Sequence, residues 1–148
     1  MILEEYRKKR DFSKTPEPEP TGEPESSGNR FVVQEHHASH LHWDFRLEMD
    51  GVLKSWAVPK GMPEKKGEKR LAVQTEDHPL EYIDFEGEIP EGQYGAGTVL
   101  IWDKGTYRLK ERKEEKIEFD LDGEKVKGRF VLVKFKGQDK NWLLIKLD

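Results

Sequence analysis

The 148-residue sequence has no cysteine. This absence excludes disulfide bonds, thiolate catalysis and cysteine-bound zinc, and it leaves histidine, aspartate and glutamate as the candidate metal ligands. The sequence also has no apolar run of the roughly 18 residues that a membrane helix needs, and its N-terminus lacks the apolar segment of a signal peptide. We therefore expect a cytoplasmic protein with no membrane partner.

The sequence has no excess of basic residues either. Its 30 acidic residues outnumber 26 lysines and arginines, so the net charge is −4 and does not by itself indicate nucleic-acid binding. Basic residues are nevertheless concentrated in one region, at Lys54, Lys60, Lys65, Lys66, Lys69 and Arg70. Most of them fit a solvated loop, but a basic rim beside a metal-binding face would attract an anionic ligand.

Residues 15–29 contain no aliphatic side chain and cannot contribute to a hydrophobic core. The segment has four prolines, two glycines and four glutamates, a composition typical of an extended linker. Residues 1–11, which precede it, predict a short charged helix. We therefore expect an N-terminal arm at residues 1–29 and a single folded domain at residues 30–148.

The clearest strand signal is the segment LHWDFRLE at residues 41–48. Its odd-numbered positions are apolar and its even-numbered positions are polar, which is the period of two expected of a strand with one buried face. Asp50 and Gly51 then supply the residue types favoured in a tight hairpin turn, and VLKSWAV at 52–58 predicts the returning strand. The pattern therefore predicts a β-hairpin with one polar face.

Other short segments share this strand pattern and are separated by turn signals rich in glycine, proline and aspartate. The further predicted strands lie at residues 31–36, 71–76, 98–103, 106–110, 116–122, 129–135 and 141–147. Asp103 to Gly105 is one of the predicted turns. The sequence shows no repeat and no long amphipathic helix after residue 30. We therefore predict a mainly β fold, a small antiparallel β-barrel of about eight strands with minor helices.

All five histidines lie between residues 36 and 78, and four of them fall in the run EHHASHLHWD. His42 and Asp44 are two positions apart on one strand face, about 6.6 Å along the backbone, so both side chains can bind one ion. The guanidinium of Arg46, one step further, suits a phosphate oxygen held beside that ion. A third ligand would come from an earlier histidine, and the intervening loop leaves three choices open: His36, His37 and His40.

The histidine cluster has other interpretations. The side chains can simply form the polar surface of the strand, with Trp43 and Phe45 packed behind them. A His-x-Asp pair with a distant histidine is also similar to the ligand set of non-haem iron oxygenases. The basic residues nearby favour phosphate chemistry over oxygenase chemistry.

Further residues allow more than one interpretation. His78, in the run EDHP, fits a structural histidine. With an ordinary pKa of about 6.5 it also fits a group that protonates a leaving oxygen or supports charge on a phosphoryl group. The run EGQYGAG at residues 91–97 has neither the lysine nor the helix of a phosphate-binding loop and predicts a flexible turn. Tyr82, Tyr94 and Trp142 fit base stacking or barrel packing equally well.

Three stretches resemble one known family: RDFSKTPEP at 10–18, the run from FVVQEHH to WAVPKG at 31–61, and the run from KRLAVQTEDHP to YGAGTVLIWDKG at 69–105. They are similar to the 3′-phosphoesterase domain of bacterial DNA ligase D and its free-standing archaeal relatives. The resemblance covers residues 10 to at least 107. It implies a β-barrel enzyme of non-homologous end joining that uses Mn²⁺, or a similar ion such as Co²⁺ or Zn²⁺. Such an enzyme removes a 3′-terminal ribonucleoside and then the remaining 3′-phosphate, leaving a 3′-OH for a ligase or polymerase.

The resemblance also assigns the site residues. It places the metal ligands at His36, His42 and Asp44, and so selects His36 as the third ligand. The predicted catalytic residues are His78, Arg46, Lys60 and Arg70. The predicted substrate-binding residues are Arg10, Asp11, Glu17, Gln34 and Tyr82. The matching motif in the arm further implies that residues 10–18 pack on the barrel and that residues 19–29 are flexible.

Two features depart from the family pattern. His37 and His40 stand where the family often has Asp and Arg, and they are candidates for a weakly bound second ion. The ligase and polymerase domains that accompany this module in bacterial ligase D are absent, so we expect a separate ATP-dependent DNA ligase and a separate primase-polymerase as partners. The expected substrates are 3′ ends of DNA or of DNA–RNA primer-templates. The competing interpretation is a non-catalytic module that binds DNA ends, in which the histidines hold a structural ion.

Overall fold

Nine β-strands form one antiparallel sheet within residues 3–20 and 28–148, the parts of the chain that this computed structural model describes. One short helix, α1, and one 3₁₀ helix accompany the strands. The elements are α1 Glu4–Lys8, β1 Arg30–His37, β2 Leu41–Met49, β3 Val52–Val58, β4 Lys69–Gln74, the 3₁₀ helix Leu80–Asp84, β5 Gly87–Ile89, β6 Gly97–Lys113, β7 Lys116–Gly123, β8 Lys127–Lys134 and β9 Asn141–Lys146. Neither helix in these parts of the chain is long and apolar enough to cross a membrane.

Closure of the sheet makes an eight-stranded barrel. Each strand pairs with the next in the order β1-β2-β3-β4-β9-β8-β7-β6, and β6 pairs with β1. The short β5 pairs with the first part of β6. Closure pairs the two edges that an open sheet would expose. The predicted mainly β fold, an antiparallel barrel of about eight strands with minor helices, is confirmed.

The hairpin between β2 and β3 turns at Asp50 and Gly51, as the sequence predicts. Both residues have positive φ, 60° and 79°, which is the backbone conformation that a two-residue hairpin turn needs and that these residue types tolerate. Arg112 of β6 donates hydrogen bonds to both carboxylate oxygens of Asp50, at 3.0 and 2.6 Å. The resulting register places Ala57 of β3 opposite Asp44 of β2.

One predicted turn is wrong, because residues 98–103 and 106–110 belong to a single strand, β6. The carboxylate of Asp103 accepts hydrogen bonds from three backbone amides in the turn between β7 and β8, at residues 124–126. Gly105 lies so close to β7 that a Cβ atom there would overlap the neighbouring backbone. Aspartate and glycine here serve contacts with adjacent elements, although in sequence they look like a turn.

The apolar faces of the strands fill the barrel interior. Phe45, Trp56 and Phe119 are among its fully buried side chains, and the rings of Phe45 and Phe119 stack with their centroids 5.7 Å apart. Because successive side chains of a strand point to opposite faces, the polar positions of β2 lie on the outside of the barrel.

A second apolar cluster lies outside the barrel and joins its wall to the arm and the 3₁₀ helix. Tyr6 of α1 is fully buried in this cluster, and its hydroxyl donates a hydrogen bond to the carbonyl of Pro18 at 2.7 Å. The 3₁₀ helix contributes Tyr82 and Ile83. Most of the segment predicted to be flexible lies at residues 21–27, outside the described residues.

Candidate active site

A cleft of about 320 Å³ opens on the outer face of the barrel. It brings together eight of the twelve residues that the family resemblance assigns to the site. These are Arg10, Glu17, His36, His42, Asp44, Arg46, His78 and Tyr82. The cleft thus collects side chains from the arm, from β1 and β2, and from the 3₁₀ helix and the segment that leads into it.

Two histidines and one aspartate converge in this cleft. His36 of β1 lies directly opposite His42 of β2 in the antiparallel register, and Asp44 follows two positions later on the same face. The Asp44 carboxylate is 3.4 Å from Nδ1 of His36 and 3.2 Å from Nε2 of His42. One ligand atom from each residue lies within 4.8 Å of the other two, so the triad can hold a metal ion.

Backbone carbonyls orient both imidazole rings. Nε2 of His36 is 2.7 Å from the carbonyl oxygen of Gly95, and Nδ1 of His42 is 3.1 Å from that of His40. A ring nitrogen that faces a carbonyl carries the proton, so the other nitrogen of each neutral ring presents a lone pair. Both lone pairs face the Asp44 carboxylate, which is also an acceptor. A cation among these three acceptors removes their mutual repulsion, and such carbonyl contacts are usual for metal-binding histidines.

Asp44 is ionised although it is buried. Burial alone would raise the pKa of its carboxyl group, but the charge of Arg46 and the contacts with His36 and His42 hold that pKa well below its usual range. The contact with Asp44 in turn raises the pKa of His42, because a proton on this ring also relieves the repulsion between acceptors. The carboxylate therefore offers a full negative charge to a metal ion.

The guanidinium of Arg46 is held firmly beside the triad. Its Nε donates to Oε1 of Gln34 at 2.6 Å, its Nη2 lies 3.4 Å from Asp44, and its Cζ lies 4.9 Å from the centre of the Tyr82 ring. The amide of Gln34 donates in turn to the carbonyls of Tyr82 and Phe85. Gln34 is fully buried, so it positions Arg46 from behind the cleft. An arginine fixed in this way can present its remaining N–H groups to a phosphate oxygen.

His78 is buried in the cleft and is neutral. Burial, together with the positive charges of Arg46 and Arg10, lowers its pKa well below the ordinary value of 6.5. Its Nδ1 is 2.9 Å from the carbonyl oxygen of Glu76 and 3.3 Å from Nη1 of Arg46. Its Nε2 lies 3.4 Å from Nη2 of Arg10.

We expect the metal-free protein to lose stability as the pH falls below about 6.5, because His78 takes up a proton more readily in the unfolded chain than in the folded one. The loss from this group reaches about 1.4 kcal/mol per pH unit while only the unfolded chain is protonated. His42, with its raised pKa, contributes in the opposite sense. Urea unfolding of wild type and the His78→Gln variant at pH 7.5 and 5.5, in EDTA, isolates the contribution of His78. If the free energy of unfolding depended equally on pH in both proteins, the predicted contribution of His78 would be contradicted.

Residues 34–134, about two thirds of the chain, match the family described as "DNA Ligase D 3'-phosphoesterase domain". The chain belongs to this family. The matched residues include the His36, His42 and Asp44 triad together with Arg46 and His78.

Curated relatives of this phosphoesterase-domain family are much longer than the chain. The "Multifunctional non-homologous end joining DNA repair protein LigD" of Mycobacterium tuberculosis is 51% identical over 98% of this chain. The LigD proteins of Mycolicibacterium smegmatis and Pseudomonas aeruginosa are 52% and 51% identical over 95% and 97% of it. The chain spans 20%, 20% and 18% of these three proteins, about a fifth of their length. All three are bacterial, so the archaeal relationship stays a prediction.

The arm of this phosphoesterase domain reaches the cleft through Arg10. Its Nε donates to Glu17 at 2.9 Å and its Nη1 to Glu76 at 3.1 Å, and its side chain is only 4% exposed. Glu17 also accepts a hydrogen bond from the Tyr82 hydroxyl at 2.8 Å. Burial and the Glu17 carboxylate raise the pKa of Tyr82 well above its usual value, so that hydroxyl stays protonated. Arg10 and Glu17 therefore connect the arm to His78 and to the 3₁₀ helix.

The cleft lining does not include four of the predicted site residues: Asp11, Gln34, Lys60 and Arg70. The exposed carboxylate of Asp11 accepts hydrogen bonds from the backbone and hydroxyl of Ser13 within the arm. Lys60 is exposed in the turn after β3, and Arg70 of β4 donates to Glu68 at 3.2 Å. The roles assigned to Asp11, Lys60 and Arg70 stay predictions.

The other two candidates for the third metal ligand lie apart from the triad. His37 is exposed, and its Nε2 is 2.6 Å from the Glu35 carboxylate. His40 is exposed, and its carbonyl rather than its ring contacts His42. Because His36 alone of the three lies opposite His42, it is the histidine that joins His42 and Asp44 in the group that could hold a metal ion.

The sequence analysis missed two features of the cleft, Glu76 and the carbonyl of Gly95. The buried Glu76 carboxylate accepts hydrogen bonds from Lys9 at 3.2 Å and from Arg10 at 3.1 Å. Its place two residues before His78 was an available signal, because alternate residues of an extended segment share a side. The Gly95 carbonyl belongs to EGQYGAG, which in sequence looks only like a flexible turn, and a backbone acceptor has no residue signature.

Proposed function

We propose that this chain is a metal-dependent hydrolase that heals 3′ ends of DNA during non-homologous end joining. It would remove a 3′-terminal ribonucleoside as a phosphodiesterase and then the remaining 3′-phosphate as a phosphomonoesterase, leaving a 3′-OH. The observation that carries the proposal is the convergence of His36, His42 and Asp44 on one point beside the buried guanidinium of Arg46. Membership of the phosphoesterase-domain family supports the reaction class.

The triad suits a divalent ion, and we propose Mn²⁺, with Co²⁺ and Zn²⁺ as alternatives. Its two imidazole nitrogens and one carboxylate oxygen are donors that these ions accept. When bound, the ion supplies a Lewis acid for a phosphate oxygen and lowers the pKa of bound water. Among the residues that the structure describes, three side chains form this candidate metal site, whereas a structural zinc site is usually closed by four protein ligands. The ligand count therefore favours an enzyme over a non-catalytic binding module.

The cleft's own residues would bind the phosphate and offset its charge. The N–H groups of Arg46 face the space beside the triad and would stabilise the charge that develops on the phosphate oxygens. Because Gln34 already holds Arg46 in place, little reorganisation is needed during the reaction. This buried positive charge suits an anionic substrate. Lys60 and Arg70 are proposed as further contacts with the substrate.

His78 would enter the reaction as a neutral imidazole. Burial and the charges of Arg46 and Arg10 lower its pKa in the free protein, and the negative charge of a bound phosphate group would offset those positive charges. His78 would then gain a proton only once substrate is present, and it could pass that proton to the leaving oxygen. In this scheme one side chain first completes the phosphate site and then acts as the acid.

The proposed substrates are 3′ ends of DNA and of DNA–RNA primer-templates in the cytoplasm. The relatives are named multifunctional proteins of non-homologous end joining. We propose that an ATP-dependent DNA ligase and a primase-polymerase, in the same or another chain, use the 3′-OH that this domain produces.

A 5′-labelled primer-template with one 3′-terminal ribonucleotide tests the proposed activity. In the presence of Mn²⁺ we expect the primer to shorten to a 3′-phosphate product and then to convert to a 3′-OH product, because the triad and Arg46 act on both phosphate esters. A denaturing gel resolves the two products. EDTA is expected to stop both steps.

Repeating the assay with Co²⁺ and Zn²⁺ separates the choice of metal from the reaction itself. An unchanged primer with all three ions would contradict the proposed function. If the protein nevertheless bound the primer-template under those conditions, a non-catalytic module that binds DNA ends would replace the enzyme as the proposed function. Oxygen consumption with Fe²⁺ would instead support the oxygenase.

A further inference from the structure

The loop between β3 and β4, residues 59–68, carries positive charge beyond Lys60, the one residue of this loop that the proposed reaction uses. With Lys69 and Arg70, which follow it, this basic segment has five basic and two acidic side chains, although the whole chain is acidic. Lys65, Lys66 and Lys69 are exposed and have no acidic partner among the residues that the structure describes.

The folded loop leaves these lysines unneutralised. Oε1 of Glu68 accepts hydrogen bonds from the backbone amides of Glu64 and Lys65, at 2.8 and 2.7 Å. Oε2 of Glu68 accepts from Arg70 at 3.2 Å. One of the two acidic side chains is therefore engaged in holding the turn, and these contacts hold its pKa below the ordinary value. Lys65 and Lys66 project from an ordered turn whose Gly67 amide also donates to the carbonyl of Lys146 at 2.8 Å.

The loop connects the cleft to a second groove at one end of the barrel. This barrel-end groove, about 360 Å³ in volume, is lined by Met62, Pro63, Glu64, Trp102, Lys125, Val126, Lys127, Phe130 and Lys146. The ammonium of Lys125 lies 4.9 Å from the centre of the Trp102 ring, a cation–π contact that holds this charge at the groove. A half-buried aromatic ring beside lysines is a combination found on nucleic-acid-binding surfaces.

The path from the cleft to the groove is short. Ala57 lines the cleft and Met62, five residues later, lines the groove. Five residues span at most about 18 Å. Consecutive base pairs of a duplex rise about 3.4 Å, so this distance corresponds to about five base pairs. The phosphates a few nucleotides before a 3′ end in the cleft would therefore reach the loop.

We propose that the β3–β4 loop and the barrel-end groove bind the sugar–phosphate backbone of the duplex that precedes the 3′ end. Lys65, Lys66, Lys69 and Lys125 contact phosphates there, and the surface adds affinity without taking part in the chemistry. This inference rests on the proposed action at 3′ ends. It concerns where the rest of the substrate lies.

A charge-reversal pair tests the surface. We compare the Lys65→Glu, Lys66→Glu variant with a control variant, Lys136→Glu, Lys140→Glu. The control makes the same change of charge in the β8–β9 turn, at the opposite end of the barrel. One probe is a 12-base-pair hairpin that ends in a 3′-phosphate, and the other is a 3′-phosphorylated dinucleotide that is too short to reach the loop.

The loop variant is expected to raise KM for the hairpin about tenfold with kcat within about twofold, because two phosphate contacts are lost. Turnover of the dinucleotide should match wild type. Fluorescence anisotropy of the labelled hairpin in EDTA should show the slope of log K against log salt concentration reduced by about 1.8. The control variant should behave as wild type in every assay.

A loop variant that binds the hairpin with the affinity and salt slope of wild type would overturn the proposal. An equal loss of hairpin affinity in the control variant would overturn it as well. The anisotropy measurement needs no turnover. An inactive wild-type protein would therefore count against the proposed function, and the anisotropy comparison would still decide whether the loop binds the duplex.

Discussion

The His42→Ala variant is expected to lose both reaction steps and its metal ion. His42 offers one of the three candidate ligand atoms, and its Nε2 faces Asp44 at 3.2 Å. Losing a residue that merely supports a ligand costs up to about 100-fold in metal affinity, so loss of a ligand should cost at least that much. We expect kcat/KM to fall by more than about 10³-fold. Isothermal titration with Mn²⁺ measures the loss of metal binding, and the denaturing-gel assay of the labelled primer measures the loss of both reaction steps.

His37→Ala is the matched control for this variant. It removes a neighbouring histidine that is exposed and contacts Glu35 rather than the triad. Its Mn²⁺ affinity and turnover should equal those of wild type. Mn²⁺ should also raise the melting temperature of wild type and of His37→Ala but not of His42→Ala, because a ligand stabilises only the fold that binds it. Unchanged Mn²⁺ affinity in His42→Ala would exclude the triad as the metal site.

Arg46→Lys is expected to bind Mn²⁺ almost as well as wild type and to turn over about 10² to 10³ times more slowly. Lysine keeps the positive charge beside Asp44 but lacks the planar fork that meets phosphate and the Nε that donates to Gln34. The defect should appear in kcat, because the lost contacts strengthen as charge develops on the phosphate. Steady-state kinetics with a 3′-phosphate substrate, beside Mn²⁺ titration, separates the two properties.

Arg112→Lys is the control for the effect of this substitution on the fold. Arg112 pairs with Asp50 on the outside of the β2–β3 hairpin, away from the cleft lining. The Arg112→Lys variant should keep the metal affinity and the kcat of wild type. An Arg46→Lys protein that is folded by circular dichroism and fully active would remove Arg46 from the mechanism.

Much of the candidate site could be predicted because it lies on a strand. Alternation along β2 places His42, Asp44 and Arg46 on one face wherever that strand pairs, since the period of two is a local property of extended backbone. The same alternation predicted that Phe45 and Leu47 point into the barrel, and both are fully buried. Family resemblance was needed to select His36, because spacing along the chain does not determine which residue of β1 faces β2.

The strand prediction failed where a residue contacts a distant part of the chain. Asp103 and Gly105 look like a turn in sequence, yet they belong to β6 and contact the β7–β8 region. Lys60 and Arg70 lie outside the cleft lining, and the roles predicted for them stay predictions.

The sequence by itself determined most of the strand pattern, the hairpin at Asp50 and Gly51, the mainly β class and the polar face that carries His42 and Asp44. These follow from interactions between residues close in the chain and from the side on which each residue of a strand points. Only the tertiary structure decided that His36 lies opposite His42, that the Gly95 carbonyl orients the His36 ring, and that Arg10 of the arm reaches His78. Those contacts depend on strand register and on how the arm packs. Closure of the barrel sets the register, and burial of the second apolar cluster sets the position of the arm.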